Sequence, residues 1–536
     1  MSSEPPQNQV EPSAPTRPPR PLLWAVILFL IQTALVISLA VYLLTDDNLY
    51  HPYRLISALA YIDRYFPEEI NKKELLRTAR DQVFASLDRY SGYLDKKELD
   101  RVVEEFGGSY GGIGITVVGH NDGLMIMSVR EDGPAGKAGM KTGDIILAAD
   151  SVSMKGKNPY EATLYLRGAE GSSVTITLIR ENSQDTLTFA LIREQLRLIH
   201  IPYAGLNENG ILYIRILDFE AGATEELAQI LDSLYLPKQD SVKGIILDLR
   251  GNPGGLLNEA LTVANLFLDA KRLIVGVKGR SRWRQVEYYS SGDDFTEGRP
   301  LAVIIDRGSA SAAEIVAGSL RHAGRAVLVG DTTFGKGLVQ EFDGFSDGSG
   351  IRLTTARYYF EGGVYLNDPA AESKDSAAGI PPDFYVNPDE TDDFVLALES
   401  SLLMRDFALR HKDSLAPTRE APSLSGEWFQ RFAAFADSLD FEYHSSLTRE
   451  LEMALKLITF KGGSRELFSE GEKLYTLSRE QDRGYMVRYR DYILRRLYQI
   501  ALEANFGAAV SYPLAILPYR HDIQRAESLL LSKPIP

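Results

Sequence analysis

At 536 residues the chain exceeds what one hydrophobic core organises and calls for about three or four domains of ~150 residues. A hydrophobic content of 44% suits a globular protein, and a formal charge of −15 argues against a nucleic-acid backbone as partner. With no cysteine, and with seven histidines (His51, His120, His200, His322, His411, His444 and His521) that never pair at short spacing, thiolate chemistry, disulfides, iron–sulfur clusters and HExxH metal sites are excluded.

Residues 1–21 carry seven prolines, from Pro5 to Pro21, and read as a disordered tail. Residues 22–44 are uncharged, with only Gln32, Thr33 and Ser38 as polar interruptions, and predict a transmembrane helix. The run is longer than the ~7–15 apolar residues of a cleaved signal peptide and lacks a small-residue cleavage site. Arg17 and Arg20 precede it while Asp46 and Asp47 follow. The positive-inside rule therefore places a short N-terminus in the cytoplasm and the bulk of the chain in the periplasm or extracytoplasmic space.

Residues 45–99 predict a helical region, with Leu55, Leu59, Ile62 and Phe66, then Leu75, Val83 and Leu87, near helical spacing. The texture changes to glycine-punctuated β segments over 100–183, with a helix expected at 158–167 and a strand at 173–180. Consecutive amides in Tyr110-Gly-Gly-Ile-Gly-Ile115 can hold a carboxylate, and the strand that follows offers an edge to an extended peptide; a plain turn is the simpler account of the glycines alone. The run Asp132-Gly-Pro-Ala-Gly-Lys-Ala-Gly-Met-Lys-Thr-Gly-Asp-Ile-Ile-Leu147 resembles the central signature of PDZ domains. That resemblance implies a groove for C-terminal peptides, with Gly112, Ile113, Gly114 and Ile115 as its binding residues.

Residues 184–388 carry short apolar β runs at 211–217, 244–249 and 301–307, two of them followed by helix-like stretches, an α/β pattern. The last run leads into Asp306-Arg-Gly-Ser-Ala-Ser-Ala-Ala-Glu-Ile315. A hydroxyl at a strand-to-helix turn is exposed among small neighbours and lies at the amides of a helix start. Ser311 and Glu314 equally fit a capping box, and on this segment alone a cap is the better account. His322 is eleven residues on, roughly 16 Å along a helix, too far to act as a base for Ser311. Lys336, in Phe334-Gly-Lys-Gly-Leu-Val-Gln340, is a candidate base if burial lowers its pKa; a solvated turn lysine is the alternative. On an extended strand Lys336, Leu338 and Gln340 would share a face, allowing Gln340 to orient the amine.

LDLRGNPGGLL (247–257), GSASAAEIVAG (308–318) and TFGKGLVQ (333–340), in this order behind a PDZ-like module, resemble the C-terminal processing peptidases, serine proteases with a Ser/Lys dyad. TTARYYFEGG (354–363) and GIPPD (379–383) add to the resemblance, which covers about 50–386. It implies a crotonase-like ββα protease core, Ser311 as nucleophile, Lys336 as general base and Gln340 as its orienting residue. The oxyanion hole would map to the amides of Ala312 and Gly254, and no metal or cofactor is implied. Asp306 stands where the family usually has Asn and is expected to raise the Lys336 pKa if the two approach; Ala313 replaces a frequent Ser. Arg250 is expected to pair with Asp248 or another local carboxylate, whereas Arg167 is a candidate regulatory link between a loaded PDZ domain and the protease body.

Residues 389–536 are expected to be helical, rich in Arg and Tyr over 464–507, as a charged face with aromatic packing. Family precedent points to a homo-oligomer or adaptor contact there. The whole is a multidomain α+β and α/β chain: tail, transmembrane helix, helical leader, PDZ domain, protease core and helical C-terminal region. The expected partners are protein or peptide substrates with accessible C-termini and a membrane, with no nucleic acid. A catalytically silent PDZ scaffold or adaptor on the same fold is the competing reading, and a hydrolase of small esters or a carrier of hydrophobic ligands is a third.

Overall fold

The computed structural model describes residues 20–45, 47–106, 109–180, 186–281, 285–366, 379–387, 392–419 and 425–532. The tail expected to be disordered lies, up to residue 19, outside them. The chain divides into two compact units, with the division between Arg89 and Tyr90.

The first unit consists of helices Arg20–Thr45, Asp47–Tyr65 and Lys72–Ala85. Asn71 caps the last, accepting from the Glu74 N–H at 3.3 Å. In the first helix the described side chains, Trp24 to Ser38 and Tyr42, are all exposed. Among the described residues no helix is long and apolar enough to cross a membrane, and the side chains of residues 22, 23, 39–41, 43 and 44 of the expected span 22–44 lie outside them.

The second unit begins with a departure from the sequence expectation. The leader is not helical throughout, because Gly92–Leu94 is a strand paired antiparallel with Gly350–Phe360. Helix formation resumes at Lys96–Phe106, where Asp95 and Glu98 form a reciprocal cap, each carboxylate 2.9 Å from the other residue's amide.

A six-stranded antiparallel sheet follows, in the order Ile115–His120, Gly123–Val129, Ile145–Ala149, Ser173–Ile179, Thr186–Ile192, with the short strand Val152–Ser153 paired to Ile145–Ala149. Helix Pro159–Leu166 packs on it, started by an Asn158/Glu161 capping box and a proline in its first turn. Strand Ile115–His120 is an edge strand of this sheet and lies against that helix.

The α/β core is built on a second sheet, ordered Tyr203–Leu206, Ile211–Arg215, Gly244–Asp248, Leu301–Ile305, Val327–Gly330, Phe384–Tyr385. All its pairs are parallel except the first. Strands Gly244–Asp248 and Leu301–Ile305 are buried on both faces, which is why they read as continuous apolar runs. On one face Leu212, Ile245, Leu247 and Val303 meet helices Ala223–Ile230, Leu257–Asn265 and Ala312–His322. On the other face Tyr213, Ile246, Ala302 and Ile304 meet Ile523, Ala526 and Leu530 of the last helix, His521–Ser532. This last helix therefore completes the α/β core.

A third, antiparallel sheet is centred on Gly350–Phe360, which pairs with Gly92–Leu94, Leu273–Gly279, Leu338–Gly344 and Val364–Tyr365. The C-terminal region is helical as expected. Its core around Phe394, Phe407, Phe432 and Leu497 also takes in Met125 from strand Gly123–Val129. Farther out, helices Ser446–Phe460 and Arg465–Arg488 are clasped by Thr448, whose hydroxyl lies 2.6 Å from both Ser478 and Asp482.

Candidate active site

Two loops meet beyond the C-terminal ends of the parallel strands, where ligand sites of α/β sheets form. One follows Gly244–Asp248 and contains Arg250 to Gly255; the other follows Leu301–Ile305 and delivers Ser311 to the start of Ala312–His322. They are joined by backbone contacts. The Asp306 carboxylate accepts from the amides of Gly251 at 2.7 Å and Gly308 at 2.9 Å, and the Ala310 amide donates to the Asn252 carbonyl at 2.9 Å. Gly308 and Gly251 approach so closely that a Cβ on Gly308 would lie 2.6 Å from the Gly251 Cα.

Ser311 has φ 55° and ψ −115°, a conformation an L-residue adopts only at a cost of about 1–3 kcal/mol and only where its surroundings enforce it. Residues 311–314 have capping-box geometry, as the sequence allowed. However, the Glu314 amide bonds the Ser311 carbonyl at 2.9 Å, and the Ser311 N–H donates to Glu314 Oε2 at 2.8 Å. The backbone groups thus account for much of this cap.

Glu314 is fully buried and does more than cap. Its carboxylate also accepts from the Thr333 hydroxyl at 2.5 Å, the Gly335 amide at 2.6 Å and the Lys336 amide at 2.9 Å. Oε2 is shared between Ser311 N and Lys336 N, so 2.8 and 2.9 Å laid end to end hold those nitrogens no more than 5.7 Å apart. Phe334 N–H to the Ser309 carbonyl, at 3.0 Å, adds a second tie between the two segments. GIPPD supports the lysine loop from outside, since the Ile380 amide donates to the Thr333 hydroxyl at 2.7 Å. Burial pushes the Glu314 carboxyl up, against the lowering effect of the Thr333 hydroxyl and the three amides.

Burial lowers the Lys336 pKa, the Arg352 charge lowers it further, and Glu314 works in the opposite direction. The amine lies 5.5 Å from the centre of the Tyr90 ring. No hydrogen bond joins Ser311 Oγ to Lys336 Nζ among the described residues. The expected effect of Asp306 is replaced by another, because its carboxylate is turned into the backbone of its own turn and the 250–254 loop.

The face-sharing argument for Gln340 fails. The strand begins only at Leu338, after a left-handed Gly335, and its register shifts between Val339 and Gln340. Alternation therefore does not run from 336 to 340, and the Gln340 amide nitrogen is buried with no hydrogen-bond partner. Gly254 lies against Ala310, Ser311 and Ala312. At φ +102°, a Cβ on it would sit 2.8 Å from both the Ala312 nitrogen and the Ser311 Cβ, so only glycine leaves that space open. Its own N–H is taken up by Asn252 Oδ1 at 2.9 Å. The Ala312 amide, first in its helix, has no carbonyl of its own turn to bond.

Arg250 pairs with Asp248, as expected, and also with Asp522 of the last helix at 2.5 Å. Gly112 pairs with Glu194, the Ile113 and Gly114 carbonyls accept from Ala135 and Arg130, both at 2.9 Å, and Ile115 opens the edge strand. The Arg167 guanidinium lies 4.2 Å from the centre of the Tyr110 ring, just before that loop. Glu314 was read only as a cap. A lone carboxylate within the apolar run ASAAEIVAG was the available signal of more. Nothing in the sequence pointed to Arg352 or Tyr90.

This fold and these motifs define a class, a peptidase-type α/β core preceded by a PDZ domain. The PDZ domain model matches residues 111–191, and the model of peptidase family S41 matches residues 210–386. The chain is 34% identical over 315 residues to the carboxy-terminal-processing protease of Bartonella bacilliformis, covering 59% of this chain and 70% of that one. It is 33% identical to the carboxy-terminal processing protease CtpA of Bacillus subtilis, covering 59% and 66% respectively. Among solved structures, the photosystem II D1 C-terminal processing protease is 26% identical, covers 63% of this chain and 93% of that one, and superposes with a TM-score of 0.37. The chain belongs to peptidase family S41, among the carboxy-terminal processing proteases.

Proposed function

We propose that the chain is a membrane-anchored serine endopeptidase that takes substrate C-termini in its PDZ groove and cleaves the polypeptide through an acyl-enzyme. Neutral Lys336 accepts the Ser311 proton as Oγ attacks the scissile carbonyl, and the resulting ammonium protonates the leaving amine. Water, deprotonated by Lys336 in turn, releases the acyl group. The Ala312 amide faces the developing oxyanion, and the Gly254 amide joins it once Asn252 Oδ1 lets go. Each such donor is commonly worth ~3 kcal/mol in the transition state. Gln340 serves as acceptor for the ammonium, Arg167 transmits PDZ loading, and Gly112, Ile113, Gly114 and Ile115 receive the peptide terminus. The proposed domains are those read from the sequence: 22–44, 45–99, 100–183, 184–388 and 389–536, behind the tail at 1–21.

The observation that carries this reading is the single Glu314 oxygen that holds the Ser311 and Lys336 backbones together beside a buried lysine. The full chain is expected to degrade an unfolded protein, and Ser311→Ala and Lys336→Ala to abolish that. Undiminished cleavage by both variants rejects the dyad. The absent Ser311–Lys336 hydrogen bond and the occupied Gly254 amide favour a second reading, a silent PDZ scaffold or adaptor, which gains if the unaltered chain cleaves nothing.

Anchoring rests on the uncharged run 22–44, with the N-terminus cytoplasmic and the bulk periplasmic or extracytoplasmic. Removing residues 1–45 is expected to move the chain from the membrane fraction to the soluble one; retention with the membrane sinks the anchor. A homo-oligomer or adaptor contact is assigned to the C-terminal helices.

A further inference from the structure

We propose that the C-terminal helical region holds a second carboxylate site, formed by Arg495, Arg496 and Arg520, for the free C-terminus of a polypeptide ending in an apolar residue. These arginines line a cavity of about 370 Å³ between helices Asp393–Ser400 and Arg490–Phe506 and the segment 515–520. Two of the three are engaged within the fold, and among the described residues the third is not ion-paired. Arg496 pairs with Glu399 at 2.7 Å, and Arg520 shares Asp522, at 3.1 Å, with Arg250. Arg495 makes no ion pair among the described residues and instead lies 5.2 Å from the centre of the Tyr519 ring. Nearby, Arg405 has a buried Nε with no hydrogen-bond partner, and its pKa is lowered by burial and then by the Arg496 charge. Three guanidinium groups against the single carboxylate of Glu399 in the lining favour an anion.

The shape of the cavity narrows the choice. Leu396 and Ile516 supply apolar wall beside the guanidinium groups, so the ligand must join an anionic head to an apolar body. Guanidinium forks bind carboxylates bidentately, and a polypeptide C-terminus carries its carboxylate one atom from its last side chain. The setting agrees, since every peptide hydrolysis creates a new C-terminus. Val395, from the same helix as Leu396, lines the cavity and belongs to the core that takes in Met125 of the PDZ domain.

The test is calorimetric titration of the full Ser311→Ala chain with an N-acetylated tetrapeptide ending in leucine, as free acid and as C-terminal amide, and with phosphatidylglycerol vesicles. The acid is expected to bind, and one class of acid sites to weaken roughly ten-fold or more in Arg495→Gln, the loss of one charge-assisted contact. Arg495→Lys should restore part of the affinity. Leu396→Glu, at an exposed wall position, should produce the same loss should Arg495→Gln fail to fold. Because Arg495 is no part of the PDZ groove, this loss is separable from whatever the groove binds. Acid binding that is unchanged in Arg495→Gln and Leu396→Glu, an amide that binds through Arg495 as tightly as the acid, or Arg495-dependent binding of vesicles but not peptide each overturns the proposal.

Discussion

Two buried carboxylates flank the active-site loops, and their surroundings treat them in opposite ways. Asp248 closes strand Gly244–Asp248 with no solvent exposure, and its partners are charged or strongly polar. Arg215 lies at 3.0 Å, with Arg250 at 2.5 Å and the Tyr213 hydroxyl at 2.5 Å. Burial works to raise its pKa, but the Arg215 and Arg250 charges prevail and hold it well below the usual carboxylate range. Glu314 is equally buried, yet its partners are one hydroxyl and three amides, and burial prevails. The difference follows from what each carboxylate holds. Asp248 fixes a strand end to Arg250 and, through it, to Asp522 of the last helix. Glu314 holds the Ser311 and Lys336 segments together with neutral donors, placing no added cation beside Lys336.

Breaking the first arrangement should cost the most. Asp248→Asn leaves Arg215 and Arg250 buried beside a neutral amide, a loss of about 3–5 kcal/mol by the usual cost of breaking a buried pair. The expected readout is a lower urea midpoint, with detachment of the last helix seen as faster hydrogen exchange over 521–532. An unchanged midpoint would show that the Arg–Asp network is not what secures the core.

Glu314→Gln should reverse the pattern, with a smaller loss of stability, about 1–3 kcal/mol, and a larger loss of catalysis. A glutamine amide has one oxygen where the carboxylate has two, so it cannot accept from Ser311, Thr333, Gly335 and Lys336 together. A drift of about 1 Å between the two loops is worth roughly a hundredfold in rate. The decline should appear in kcat with KM nearly constant, because in the proposed mechanism the positioned atoms belong to the chemical step. A rise in KM alone would instead make Glu314 part of the substrate-binding surface.

Much of this architecture was legible in the sequence. Buried parallel strands show as unbroken apolar runs, and the order of the NPGG, GSASAAE and TFGKG segments located both loops before any fold was known. Pairwise distances were not legible. Alternation placed Gln340 on the Lys336 face, but a left-handed glycine and a register shift are decided by how Leu338–Gly344 meets Gly350–Phe360. Asp306 looked like a threat to the lysine because the sequence gives no sign that its carboxylate faces local amides. The short strand Gly92–Leu94 was missed for a related reason: three residues carry no periodicity of their own, and their partner lies some 260 residues away. Asp522 could not be matched to Arg250 at all, since only the return of the last helix to the sheet brings them together.

The contrast can be sharpened without breaking either carboxylate, by removing the cation that does act on Lys336. Burial is the main cause of the depressed Lys336 pKa, and Arg352 is the next. Catalysis through a neutral amine rises with pH through the folded-state pKa of Lys336, which lies below its ordinary 10.5. Arg352→Gln removes a lowering influence, so that pKa moves up, the rising limb of the kcat profile shifts to higher pH, and the rate at neutral pH falls. The depression also means that the unfolded chain binds more protons between the folded-state pKa and 10.5, so stability rises with pH across that window. Arg352→Gln should flatten that rise. Arg352 also donates to the Tyr90 carbonyl at 2.6 Å, so a general loosening of the site must be told apart from a charge effect. Arg352→Lys does this, because it keeps the charge while losing the guanidinium geometry. A charge effect predicts a near-original pH profile for Arg352→Lys and a displaced one for Arg352→Gln, whereas loosening lowers both curves without moving either along the pH axis.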